Sequence, residues 1–182
     1  MSDFALLLEE QIPRLRRYAR VLTRDACRAD DLVQSCLLRA FAKQYLWEPG
    51  TDLRAWLFTI LHNQHVNTVR RAVREGAAVP VDSAAAVLTV EENAGARLQL
   101  RDLDRAIALL PDEQRQVVLL VGLEGMSYEE TAEILGIPIG TVRSRLSRGR
   151  ETLRILMEFN LQGPAPTTHG PPAPGRQRAI AA

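Results

Sequence analysis

Thr141, Arg143, Ser144, Ser147 and Arg148 fall within eight residues of one another. If the stretch is helical, the last four share a face opposite an apolar stripe of Val142, Leu146, Gly149 and Leu153, which spans about 60° of arc at 100° per residue. Arg145, Arg150 and Arg154 stand on the flanks. Arginine carries a planar donor fork that matches guanine edges or phosphates, and serine is a short donor or acceptor. One helix fits the major groove, so this face points to hydrogen bonding with duplex DNA.

A second set, Asn63, Asn67, Arg70 and Arg74, lies at i, i+4, i+7 and i+11. It also covers about 60° of a helix, beside an apolar stripe that ends at Leu61. Asparagine can pair with an exposed base edge while arginine follows phosphates, the pattern expected for unpaired strands. Trp56 and Phe58 precede these residues, and aromatic faces can carry unstacked bases. Trp56 lies on the apolar stripe and is expected to pack in the core, whereas Phe58 fits either role.

Other reactive types form no convincing site. His62 and His65 are three apart, but no third ligand stands at a suitable spacing, so surface or DNA-facing histidines are expected and no metal. Asp30 and Asp31 are adjacent, point in different directions on a helix, and suit a solvated or partner-facing surface better than acid/base work. Cys27 and Cys36 make no C-x-x-C pair. Phosphate-binding glycine loops and nucleophile elbows are absent from the sequence, so neither a catalytic residue nor a cofactor is expected.

The elements that must position these residues read as all-α. Apolar residues recur at helical spacing almost throughout, as in Ala29, Leu32, Val33, Cys36, Leu37, Ala40 and Phe41, read as one buried face. Leu53, Trp56, Leu57, Ile60 and Leu61 repeat the pattern, with Asp52 as N-cap. An earlier helix covers about Pro13 to Leu22, with Pro13 in its first turn or inside a longer segment from near Phe4. Leu100, Leu103, Ile107 and Leu110 mark a further helix, and Pro111-Asp112 opens another containing Val117, Val118 and Val121. Ser127 with Glu130 forms a capping-box signature, Gly136 and Pro138 stop that helix after about two turns, and the Arg/Ser helix follows at once. Short helix, tight turn and second helix make a helix-turn-helix.

Composition divides the 182 residues. Residues 1–75 carry 12 basic and 9 acidic groups and residues 98–160 carry 8 and 10, so the charge is local rather than general. Between them, residues 76–97 break the periodicity and read as a flexible linker, and residues 161–182 read as a disordered tail rich in Pro and Gly. The expectation is two small helical domains, the second a helix-turn-helix. No apolar run approaches the roughly 18–20 residues of a membrane span, which excludes membrane insertion and favours a reducing cytoplasm.

Together these segments resemble the sigma-70 superfamily, specifically its two-domain extracytoplasmic-function (ECF) sigma factors. The resemblance rests on Ala29-Asp-Asp-Leu-Val-Gln-Ser-Cys-Leu-Leu-Arg-Ala-Phe41, Leu53-Arg-Ala-Trp-Leu-Phe-Thr-Ile-Leu-His-Asn63, Leu109-Leu-Pro-Asp-Glu-Gln-Arg115, and Tyr128 to Gly136 leading into Gly140 to Arg150. It implies a promoter-specificity subunit of bacterial RNA polymerase whose partners are core polymerase, promoter DNA and an anti-sigma factor. It further implies that Asp31 and Gln34 dock on core polymerase, that Asn63 and its neighbours capture the melted −10 element, and that the helix of Thr141, Arg143, Ser144, Ser147 and Arg148 reads the −35 element. Ser35 replaces an acid common in such sequences, and Leu61-His-Asn-Gln-His65 departs from the commoner stretch.

Spacing tests this expectation. The two elements are centred roughly 25 base pairs apart, about 80 Å of duplex. A free 22-residue coil averages about 25–30 Å and reaches about 75 Å fully extended, so a scaffold must hold the domains apart. The alternatives are a stand-alone helix-turn-helix regulator, which would bind DNA unaided, and a sigma mimic that sequesters the inhibitor, for which the basic face would be dispensable.

Overall fold

The computed structural model describes residues 3–76 and 94–162, and all their regular structure is helical. Most of the expected linker and tail therefore lies outside the described residues. The first segment holds α1 (Asp3–Thr23), α2 (Ala26–Ala42), a single 3₁₀ turn (Gln44–Leu46) and α3 (Leu53–Arg74). The second holds α4 (Ala94–Leu109), α5 (Asp112–Val118), a π turn (Leu119–Leu123), α6 (Tyr128–Leu135) and α7 (Ile139–Gln162).

Helix ends follow the local chemistry. Pro13 lies inside the long α1 on an exposed position, where the carbonyl it leaves free can be hydrated. Asp52 Oδ1 accepts from the backbone N–H of Arg54 at 2.8 Å and of Ala55 at 3.2 Å, capping α3. Ser127 and Glu130 complete the reciprocal box at 3.0 and 2.7 Å and start α6. Gly136 ends it at φ 64°, a left-handed position that costs glycine nothing. Arg115 explains the Leu-Pro-Asp-Glu-Gln-Arg segment. Its buried guanidinium donates to the carbonyls of Ile107, Ala108 and Leu110 and pairs with Asp112 at 2.8 Å, closing the C-terminus of α4.

The first half packs α1, α2 and α3 around Leu15, Tyr18, Cys36, Leu57, Phe58 and Leu61, all out of contact with water. Burial holds the Cys36 thiol protonated, its pKa pushed up to about 12, and Sγ lies 3.5 Å from the Leu57 carbonyl. One expectation fails here. Phe41, read on the buried face of α2, is 44% exposed, its ring edge-on to that of Phe4 at 6.0 Å. It sits in the last turn of α2, beyond the reach of α3's apolar stripe.

In the second half α5, α6 and α7 enclose Val117, Val142 and Leu146. Gly149 lets α7 approach α5 closely, since a Cβ there would lie 2.7 Å from Val118 Cγ2. The two halves also touch each other. α6 packs on α3, and Ile107, Leu119, Leu120, Met126 and Ile134 extend the first half's apolar cluster.

Candidate nucleic-acid interface

Three exposed surfaces gather the residues singled out in the sequence. On α7, Arg143, Ser147 and Arg148 are exposed, Thr141 and Ser144 are half-buried, and Val142, Leu146 and Gly149 face inward. Ser144 Oγ donates to the Thr141 carbonyl at 3.1 Å and lies 3.4 Å from an Arg148 Nη2, so the face is ordered from within. Arg143 Cζ sits 6.0 Å from the centre of the Tyr128 ring, a cation–π approach that aims it along the groove between α6 and α7.

The flanking arginines differ. Arg145 pairs with Glu113 at 2.7 Å, and Arg154 lies between Glu151 and Glu158 at 2.7 Å from each. Those partners spend their charge locally. Among the described residues Arg143, Arg148 and Arg150 form no ion pair, so their charge is available to an external anion.

On α3, Asn63, Asn67, Arg70 and Arg74 are all exposed along one line of the helix. The aromatic residues before them are not part of that surface. Phe58 is fully buried with its ring 5.1 Å from that of Tyr18, and Trp56 packs against the core near Phe4. Phe58 offers no face to a base, because Tyr18 of α1 already covers it.

His62 corrects another expectation. It is buried rather than on a surface, with Nδ1 lacking a partner, and burial next to His65 lowers its pKa to about 4. His65 is half-buried, and its pKa is also lowered, by burial first, with Asp112 and Arg115 acting in opposite directions. Burial thus favours the neutral form of both rings, His65 lying near Asp112 and Arg115 of the second half, and among the described residues no cluster of three or more metal-ligating side chains exists.

The third surface is on α2. Asp31 and Gln34 are exposed, as is Ser35, while Asp30 is tied to Arg16 at 3.4 Å. The same face continues through Leu38, 65% exposed, to Tyr45, 76% exposed, and Leu46. An acid and an amide beside uncovered apolar side chains form a protein-binding surface in composition. Leu38, Tyr45 and Leu46 were not singled out in the sequence; for Leu38, its break from the apolar stripe of α2 is the signal that could have marked it.

Sequence reading also passed over the contact between the halves. Arg17 of α1 donates through Nη2 and Nε to Glu124 Oε1 at 2.8 and 3.2 Å, and Arg54 of α3 donates to the Glu124 carbonyl at 3.0 Å. Arg24 adds a longer bond to the Ala108 carbonyl at 3.4 Å. The available hint was an acid standing directly after the apolar run Val117–Leu123.

Comparison with known proteins identifies the family. The family described as sigma-70, region 4, matches residues 100–153, and the Sigma2 domain of PhyR matches residues 8–62. The chain is 41% identical over 146 residues to ECF RNA polymerase sigma factor EcfG of Rhodopseudomonas palustris (strain TIE-1), a match covering 80% of each. It is 32% identical over 163 residues to RNA polymerase sigma factor CarQ of Myxococcus xanthus, covering 85% of this chain and 88% of CarQ. Among solved structures it is similar to the sigma factor RpoE in complex with the anti-sigma factor NepR from Bartonella quintana. There the TM-score is 0.77 and the identity 36%, over 88% of this chain and 99% of the other. CnrH in complex with the cytosolic domain of CnrY gives a TM-score of 0.62 at 26% identity, over 85% and 87%.

Proposed function

The chain belongs to the extracytoplasmic-function RNA polymerase sigma factors of the sigma-70 superfamily, and on that premise we propose which of its residues grip the promoter and how. Residues 98–160 form the −35 reader. Thr141, Arg143, Ser144, Ser147 and Arg148 enter the major groove on α7, the two arginines bonding to base edges or phosphates and the serines to the groove wall. Residues 1–75 form the −10 unit, with Asn63 and Asn67 pairing with unstacked bases and Arg70 and Arg74 following the backbone. Asp31 and Gln34, with the uncovered apolar residues beside them, dock on core polymerase.

The chain contributes binding free energy to strand opening and makes or breaks no bond. Flipping a base out of the stack costs a few kcal/mol, and edge or stacking contacts of about 1–3 kcal/mol each offset it. It acts in the cytoplasm, where polymerase and promoter are, and no described helix is long and apolar enough to cross a membrane. An anti-sigma factor, as NepR is for RpoE, is the expected inhibitor.

The observation that carries this reading is the pair of exposed, unpaired arginines, Arg143 and Arg148, on a helix seated through Gly149. Run-off transcription with purified core polymerase tests it. The native chain is expected to direct specific starts, and Arg143→Ala or Arg148→Ala to weaken −35 recognition by about 1–3 kcal/mol. Unchanged promoter preference in both variants refutes the assignment of α7. Specific footprinting by the chain without polymerase would favour a stand-alone regulator instead.

A further inference from the structure

We infer that the Arg17–Glu124 pair is a latch that keeps the free chain closed, with the −35 reader docked on the −10 unit, and that core polymerase must release it. The inference rests on the sigma-factor reading. Two units of about 75 and 60 residues have radii of gyration of about 11 Å, so their centres lie about 25 Å apart when in contact. Their DNA elements are about 80 Å apart. The closed arrangement therefore cannot serve both elements.

The contact is built to hold and yet to let go. The π turn Leu119–Leu123 ends the α5 segment and delivers Glu124 into the junction, where its side chain is wholly shielded from water. Its ion-pair partner among the described residues is Arg17, 107 positions away in sequence. A buried carboxylate is tolerated only while its counter-charge is present, so the junction depends on that one guanidinium. Oε1 takes both bonds that Arg17 makes to the carboxylate, a third and longer one going to the Leu123 carbonyl, while Oε2 has none. The hydroxyl of Tyr18, also at the junction, is buried without a partner, and burial with Glu124 nearby holds its pKa well above the ordinary value. Opening would return these unsatisfied groups to water, which lowers the cost of separation. Arg17 remains 40% exposed, so an incoming surface can reach it and compete.

Two full-length variants decide the matter. Arg17→Met keeps the apolar stem but strands the Glu124 charge, whereas Arg17→Met with Glu124→Met removes both charges and leaves an apolar contact. Small-angle scattering of the free protein should show a larger radius of gyration for the single variant and a return to the native value for the double. With core polymerase held fixed, the single variant should reach half-maximal run-off at about fivefold lower concentration, because more of it is competent to bind. The double variant should not. A compact single variant overturns the latch, and an expanded one with native half-saturation overturns its inhibitory role. If Arg17→Met does not fold by circular dichroism, Arg54→Met, which loses the bond to the Glu124 carbonyl across the junction and a loose 3.9 Å pair with Asp52 on its own side, carries the same comparison. Should no form support run-off, the sigma-factor reading fails, and scattering still decides whether the latch exists.

Discussion

His62 shows at the scale of one residue how burial sets a measurable property. Its folded pKa of about 4 lies below the ordinary 6.5 because burial, then the neighbouring His65, disfavours the charged ring. Between those values the unfolded chain binds more protons than the folded one, so stability falls as pH falls from about 7 toward 4. A depression of this size corresponds to about 3 kcal/mol at full effect. We expect urea midpoints of the native chain to decline across that window and those of His62→Leu to decline less, leaving the share that belongs to His65. Equal slopes would show that the ring is solvated. Spacing alone placed both histidines on the surface, since nothing in an i, i+3 pair reveals which packed neighbours shut a ring away.

At the scale of elements, α7 depends on what lies behind it as much as on the face it presents. Gly149→Val would drive a branched side chain into Val118 Cγ2, already 2.7 Å from a bare Cβ. Such overpacking is expected to cost about 1–3 kcal/mol, read as a lower thermal midpoint, and to weaken −35 recognition because α7 shifts off α5. The α2 face makes a separate prediction. Asp31→Ala and Leu38→Ala should each weaken association with core polymerase by more than about 1 kcal/mol in a fluorescence titration, with unfolding midpoints unchanged, as both side chains are exposed. If affinity is retained in both, polymerase docks elsewhere. Helix ends were largely legible in the sequence: Asp52, Ser127, Glu130 and Gly136 act where their types and offsets put them. Phe41 and Phe58 were not, because a residue at the edge of an apolar arc is buried or bare according to which neighbouring helix reaches it.

At the scale of the whole molecule, the two halves meet through α3 and α6 and through the shared apolar cluster. On the proposed assignment, two binding surfaces held this close reach their promoter elements only when a larger body spreads them. We therefore expect the isolated chain to protect neither promoter element in a footprint at concentrations where the same chain with core polymerase protects both. Protection of both elements by the chain alone would mean that it opens and spans them unaided.

The sequence by itself determined the helices, their caps, the helix-turn-helix and the polar composition of the α3 and α7 faces, because each depends on residues within a turn or two of one another and on side-chain chemistry that any fold would display. Only the tertiary structure decided that Arg145 pairs with Glu113, that His62 is shut away, and that Arg17 meets Glu124. Those outcomes join positions up to 107 residues apart, and no local periodicity encodes which distant surface will remove a given side chain from water.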